Sequence, residues 1–526
     1  MTDFHVYDTT LRDGAQQEGL NLSVSDKLAI AGHLDALGVG FIEGGWPGAN
    51  PKDTEFFRRA AEELDLSCAT LAAFGSTRRA GAVAAEDPQV RALLDAQTQV
   101  VTLVAKSHVG HVTDALHTTL DENLSMIRDT VSFLAGEGRT VFLDAEHFFD
   151  GFTLDPGYAL EVVRTATDAG AAVVVLCDTN GGMLPPRVGD VVSKVLADSD
   201  AMLGIHCHND TGCAVANSLA AVDAGAMHVQ GTVNGYGERT GNADLVTVVS
   251  NLQLKQGREV VEPARLAQAL HLSHAISEVT NVVPYSRQPY VGASAFAHKA
   301  GLHASALKVD PDLYQHTDPA LVGNSMRTLV SDMAGRASIE LKARELGYDL
   351  AGQPELVARV VSRVKRMEQE GWTFDAADAS FELLLREEAD GGPLHYFETE
   401  SWRIITESRP GEESVSEATV KLRAGGCRAV ATGEGNGPVN ALDHALRQAL
   451  TPAYPELREL ELIDFRVRIL DAAHGTDATT RVLIETADGT ETWQTLGVAP
   501  NIVHASWTAL VDSFTYGLLR RGVTPR

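Results

Sequence analysis

Eight short, β-branched apolar runs alternate with longer helical stretches through the first half of the chain, and this alternation constrains the fold more than any other feature. The runs cover 4–9, 40–44, 66–74, 100–106, 140–146, 172–177, 202–207 and 227–233. Each gap can hold one helix and two loops. Several runs, such as Val173-Val174-Val175-Leu176, are apolar without a break, as parallel strands covered on both faces are. Eight strand–helix units within about 250 residues predict an α/β fold, a (β/α)8 TIM barrel over 1–270. A doubly wound open sheet is the alternative. No GxGxxG follows the first run, which counts against its dinucleotide-binding form.

Beyond the barrel, 271–392 reads as mostly helical linker subdomains, with helical spacing at 354–371 and 375–389 and a break at Gly391-Gly392-Pro393. The tail, 393–526, changes to an α+β pattern. Strand-like runs at 396–407, 418–423 and 428–433 precede a helix over 439–450. The same order recurs at 464–470, 481–485 and 490–497, before a helix over 502–518. At an offset of 64 residues, Gly433, Val439, Ala441, Ala445 and Leu446 fall on Gly497, Val503, Ala505, Ala509 and Leu510. A βββα unit used twice is therefore expected, as a regulatory domain.

Charge and cysteine usage exclude some functions. A formal net charge of -28 repels phosphate backbones, so nucleic acid is not an expected partner. No apolar run reaches the length of a membrane span. The opening Met-Thr-Asp-Phe-His lacks the basic and apolar regions of a signal peptide, so a cytoplasmic location is expected. Cys68, Cys177, Cys207, Cys213 and Cys427 are odd in number and show no CxxC spacing, which predicts reduced thiols and no cysteine zinc site.

The chemistry collects at the strand ends. The first run closes in Asp8-Thr9-Thr10-Leu11-Arg12-Asp13-Gly14. Arg12 and Asp13 leave the core side by side, which is costly without a ligand, a metal or a partner. A capped helix start with a solvated ion pair is the plainer alternative. The seventh run closes in His206-Cys207-His208-Asn209-Asp210. Strand alternation puts His206 and His208 on one face and Cys207 on the other, which suits a metal pair, or one ligand beside a core hydrogen-bonder. The eighth leads into the glycine-rich Gly237-Glu238-Arg239-Thr240-Gly241-Asn242, where Asn242 is a possible fourth ligand. Two imidazoles, the Asp13 carboxylate and an amide oxygen form a mixed N/O set for a divalent ion (Zn, Mn or Mg) acting as a Lewis acid.

Glu43, Glu146 and Asp178-Thr179-Asn180 close further runs. Any one of them could cap a helix; together they mark the C-terminal, active-site face of a barrel. Later, His303 in His298-Lys299-Ala300-Gly301-Leu302-His303, with Tyr314, forms a second polar cluster. His303 is a candidate acid or base arriving from a lid or a neighbouring subunit.

The motifs at 8–14, 206–210, 237–242 and Gly301-Leu302-His303 together resemble the acyl-CoA-dependent 2-oxoacid condensing enzymes: the isopropylmalate, citramalate and homocitrate synthases. The similarity covers nearly the whole chain, and the tail resembles the allosteric domain of the isopropylmalate synthase group. The stretches 44–53 (Gly-Gly-Trp-Pro-Gly-Ala-Asn-Pro-Lys-Asp) and 144–151 (Asp-Ala-Glu-His-Phe-Phe-Asp-Gly) are most similar to the long citramalate synthases. The resemblance implies a Claisen-type condensation of acetyl-CoA, the co-substrate, with pyruvate and water to citramalate and CoA, on the pyruvate route to isoleucine. It implies Asp13, His206 and His208 as metal ligands, with Asn242 as a further candidate. Arg12 would stabilise the oxyanion and Thr179 hold the substrate carboxylate. Asp13, Glu43 and Asp144 would line the substrate site, and Glu146 and His303, with Tyr314, would move protons.

Some shorter citramalate synthases carry an aromatic residue where this chain has Asp144, so the pocket that selects pyruvate is built differently here. Isopropylmalate synthase, acting on 2-oxoisovalerate, and homocitrate synthase are the alternatives. Outside this class stand a metal-dependent aldolase or carboxyltransferase, and a catalytically silent amino-acid sensor. In the tail, isoleucine is the expected effector, between two copies of the domain in a homodimer or higher homo-oligomer. Gly435, Gly437, Ala441, Val498 and Ala505 are placed around it: glycine-rich turns offer free N–H groups at helix starts and small side chains leave room.

Overall fold

Parallel strands β1 (His5–Asp8), β2 (Phe41–Gly45), β3 (Thr70–Ser76), β4 (Val100–Lys106), β5 (Thr140–Glu146), β6 (Val173–Asp178), β7 (Leu203–Cys207) and β8 (His228–Gly231) follow one another around a closed barrel. β1 pairs with β8 to shut it. This computed structural model describes residues 4–299, 301–331, 335–408, 410–411, 413–470 and 478–526. The strands form where the apolar runs predict, because both faces are covered: outward residues such as Val101, Leu143, Val174 and Ile205 lie buried under the helices. Those helices start at side-chain caps, including Ser23 with Asp26 in a reciprocal capping box, Asn50, Thr119 and Asp155.

Two boundaries differ from expectation, for identifiable reasons. β3 begins at Thr70 and not at 66, because the Asp35 carboxylate accepts the backbone N–H groups of Ser67, Cys68 and Ala69 and holds them in a turn. β8 stops at Gly231 because the returning chain crosses it. A Cβ at that glycine would stand 2.6 Å from the Ala243 carbonyl oxygen.

Inward residues fill the barrel in layers. Its N-terminal end is plugged by the rings of His5, Phe41, Phe142 and His228, with Phe41 and Phe142 edge to face at 5.2 Å. Above this plug the interior turns polar, and its C-terminal mouth carries the strand-end residues. The barrel chain up to Phe296, with Thr317–Ser325, forms one compact unit; Ala297–His316 and Met326–Arg526 form a second.

In the second unit, β9 (Ala297–His298) pairs with β10 (Arg327–Thr328), and the helices Arg336–Glu345, Pro354–Gln369 and Asp378–Asp390 share a core including Val357, Val360 and Phe381. The tail holds two antiparallel sheets. One is β11 (Phe397–Glu407), β12 (Val415–Ala424) and β13 (Cys427–Gly435), followed by the helix Pro438–Leu450. The other is β14 (Glu461–Ile469), β15 (Thr480–Ala487) and β16 (Thr492–Ala499), followed by Ile502–Arg520. The βββα unit is thus present twice.

The repeated glycines are its contact points. A Cβ at Gly433 would lie 2.4 Å from the Ala445 nitrogen, and one at Gly497 would lie 1.9 Å from the Ala505 carbonyl oxygen. Helix and strand backbones touch at both places. Ala441 and Ala505 have no exposed surface and belong to this packing. They do not leave room for an effector, which corrects the sequence expectation. No helix among the described residues is long and apolar enough to cross a membrane.

Candidate active site

Asp13 lies in the turn after β1, His206 is inward on β7, and His208 follows one alternation later. Their ligand atoms all fall within 4.8 Å of one another. Asp13 Oδ2 is 3.3 Å from His206 Nε2 and 3.4 Å from His208 Nε2, and the two rings are 5.1 Å apart. Cys207 is buried on the opposite face, as strand alternation requires. Burial alone would raise the Asp13 carboxyl, but Arg12 and the two imidazoles outweigh it and hold it well below the usual carboxylate range.

Asn242 joins this set. It bridges to His208 through the backbone, and its Nδ2 donates to the Tyr236 carbonyl at 3.0 Å. Its Oδ1 is buried and has no hydrogen-bond partner among the described residues. An orphaned amide oxygen on a residue bridged to His208 fits the ligand set of a divalent cation. Gly237 makes the arrangement possible: at φ +146 its missing Cβ would stand 2.4 Å from Asn242 Nδ2.

Arg12 runs beside this cluster. Its Nε donates to Glu43 Oε1 at 2.6 Å, its Nη1 lies 3.7 Å from Asp13, and its guanidinium sits 4.0 Å above the Phe74 ring. The other Glu43 oxygen accepts the Tyr7 hydroxyl at 2.7 Å, and Glu43 has no exposed surface. Glu43 is therefore not a free substrate contact, as the sequence reading had it; it orients Arg12. Asp144 is inward on β5 and accepts Gln230 Nε2 at 2.9 Å. Burial, then the Glu43 charge, pushes its carboxyl up to about 8.

Glu146 ends β5 in direct contact with Lys106, which ends β4. The next residue, His147, takes the left-handed conformation at φ +57, and its N–H donates to Thr179 Oγ1 at 2.8 Å. Its ring stacks on His111 at 4.0 Å. In the second unit, His303 and Tyr314 stack at 4.1 Å, and His298 lies 6.3 Å from His303.

The barrel residues singled out by sequence thus meet at one mouth. Tyr7, Lys106, Gln230 and Arg239 also belong there and were missed. Tyr7, Lys106 and Gln230 occupy inward positions of their strands, so counting by twos along each strand would have found them. The Gly44–Asp53 stretch is a structural latch. The Asp53 carboxylate pairs with buried Lys27, accepts the Trp46 N–H at 2.9 Å, and fills the space a Gly45 side chain would need.

Comparison with known proteins agrees with this architecture. Residues 3–282 match the HMGL-like family, 290–371 the homocitrate synthase post-HMGL domain-like family, and 375–518 the LeuA allosteric (dimerisation) domain. An (R)-citramalate synthase of Streptomyces coelicolor is 68% identical over 522 residues, covering 99% of this chain and 98% of that protein. One of Aquifex aeolicus is 48% identical over 518 residues, covering 98% of each. One of Geobacter sulfurreducens is 46% identical over 514 residues, covering 98% of this chain and 97% of that protein. A barrel with this polar mouth and a LeuA-type tail defines a metal-dependent condensing enzyme. The chain belongs to the HMGL-like family and, within it, to the group of the (R)-citramalate synthases.

Proposed function

We infer that the protein condenses acetyl-CoA with pyruvate and water, giving citramalate and free CoA. The observation that carries this reading is the Asp13–His206–His208 cluster beside Arg12, with Glu146 at the C-terminal end of β5, in a chain matched from end to end by relatives of that name. A divalent ion held by Asp13, His206, His208 and Asn242 would supply Lewis-acid polarisation of the 2-oxo group.

The chain's own residues carry the remaining steps. Thr179 Oγ1 accepts from the His147 backbone and keeps its own proton to donate to the pyruvate carboxylate. Arg12 stays charged between Glu43 and Asp13, and its unused N–H groups stabilise the oxyanion that forms as the new carbon–carbon bond closes. Glu146 takes a proton from the acetyl methyl, a weak acid that needs a positioned base. His303, with Tyr314 stacked on it, assists the later hydrolysis of the thioester. Asp144 lines the pyruvate pocket.

In the tail, isoleucine is the effector, which places the reaction on the route to that amino acid in the cytoplasm. Gly437 lines a cavity of about 620 Å³ with Asn440, Asp443, His444, Arg447 and Phe465, at the start of the helix Pro438–Leu450. Gly435 and Val498 belong to the corresponding strand ends of the two repeats. The LeuA-type domain supports assembly into a homodimer. Two experiments test the reading. Chiral chromatography of the product from acetyl-CoA and pyruvate should give citramalate with stoichiometric CoA. Calorimetry of the full chain should show binding of isoleucine in preference to leucine or valine; no heat with any of the three contradicts the effector reading.

A further inference from the structure

We propose that Gln230 is a positioning residue for metal binding, whose side-chain amide holds His206 in the tautomer that leaves Nε2 free to ligate. The inference rests on the reading of Asp13, His206 and His208 as a metal site. Gln230 is inward on β8 and has no exposed surface. Its Nε2 donates to Asp144 Oδ1 at 2.9 Å. That leaves Oε1 facing His206, 2.9 Å from Nδ1.

An amide oxygen only accepts, so His206 Nδ1 carries the proton. With Nδ1 protonated, an ion takes the lone pair of the other nitrogen, displacing any proton held there. That nitrogen, Nε2, is the one 3.3 Å from Asp13 Oδ2. Without Gln230, either nitrogen of His206 can hold the proton, and the ring loses its hydrogen-bonded anchor on the Nδ1 side. A partner on the far ring nitrogen also fixes ring orientation, and removing such partners typically weakens metal binding about 10–100-fold.

His208 is held in the opposite sense. The Arg239 guanidinium donates to His208 Nδ1 at 2.7 Å, so the proton of the neutral ring sits on Nε2 and faces Asp13 at 3.4 Å. Arg239 must leave Nδ1, and the ring proton move onto it, before His208 can offer an Nε2 lone pair beside Asp13. His206 is thus the imidazole whose far nitrogen already carries its proton, as ligation through Nε2 requires, and Gln230 is what sets it.

The test uses the full-length chain stripped of metal and titrated with Mn²⁺ alone, in competition with a fluorescent chelator. Gln230→Met, of similar size but with only a weakly accepting sulfur, should bind Mn²⁺ about 10–100-fold more weakly than the wild type. Gln230→Glu keeps an acceptor for Nδ1 and should stay within about threefold of the wild type or bind more tightly. A merely structural role would not separate the two variants in this way. Gln230→Met binding like the wild type, or Gln230→Glu binding as poorly as Gln230→Met, overturns the proposal.

A second measurement needs no variant at Gln230. A long-range ¹H–¹⁵N spectrum of the metal-free chain, with His206 assigned by its loss in His206→Asn, should show Nδ1 protonated; a bare Nδ1 overturns the proposal even if Gln230→Met does not fold. A wild-type chain that binds no Mn²⁺ and no Zn²⁺ would instead refute the metal-site reading on which the proposal stands.

Discussion

Lys106 and Glu146 are register partners on neighbouring strands β4 and β5, and their side chains meet at the barrel mouth. Glu146 Oε2 is engaged by that contact, so this oxygen can take a proton from acetyl-CoA only once Lys106 turns away. Glu146→Gln keeps the shape and removes the acceptor. It should lower kcat about 10²–10⁴-fold while KM for pyruvate stays within about threefold. Steady-state CoA release checks this, and a kcat within threefold of wild type would mean that Glu146 is neither the base nor its orienter.

His208→Ala leaves Asp13 with one imidazole and removes a ligand from the cluster. Elemental analysis of the purified variant should find little metal, and turnover should be lost. Full wild-type activity after exhaustive chelation, with no metal detected, would contradict the site.

Asp8 has no exposed surface, and burial pushes its carboxyl up to about 7 although the Thr10 N–H and hydroxyl both donate to it. In the unfolded chain an Asp titrates near ~3.9. Between those values the folded state holds the extra proton. Its contribution is present at acid pH and is lost as pH rises through about 7. Asp8→Asn keeps an acceptor for the Thr10 N–H and removes the titration. Between pH 4 and 8 the variant should gain on the wild type by up to about 4 kcal/mol, read from urea transitions at each pH. A difference that does not change with pH contradicts this.

Gly497 has no room for a side chain, since its Cβ would stand 1.9 Å from the Ala505 carbonyl oxygen. Gly497→Ala must push the helix Ile502–Arg520 off its sheet, at a cost of about 1–3 kcal/mol or more. Calorimetric unfolding should show a lower Tm for the tail, and an unchanged Tm would contradict the backbone contact.

Several of these relationships could be read before any coordinates. β4 and β5 begin and end where the apolar runs predict, because each run stops at a charged residue that leaves the core, Lys106 or Glu146. The ligand triad was legible because alternation fixes which of His206, Cys207 and His208 share a face. The start of β3 was not, because Asp35 captures Ser67–Ala69 from far along the chain and no local pattern announces it. Ala441 and Ala505 were misread because a small residue can mean space for a ligand or close packing. The glycines across from them, Gly433 and Gly497, decide for packing. Gln230 and Tyr7 went unnoticed because a single Gln or Tyr in a strand is unremarkable until its partners, His206 and Glu43, are known.

The choice of 2-oxoacid separates a citramalate synthase from its isopropylmalate and homocitrate relatives. Release of free CoA from acetyl-CoA should be followed with pyruvate, 2-oxoisovalerate and 2-oxoglutarate in parallel, on the metal-loaded full chain. Pyruvate should give the highest kcat/KM, by about tenfold or more, equivalent to at least ~1.4 kcal/mol of transition-state discrimination. A higher kcat/KM with 2-oxoisovalerate or 2-oxoglutarate would contradict this.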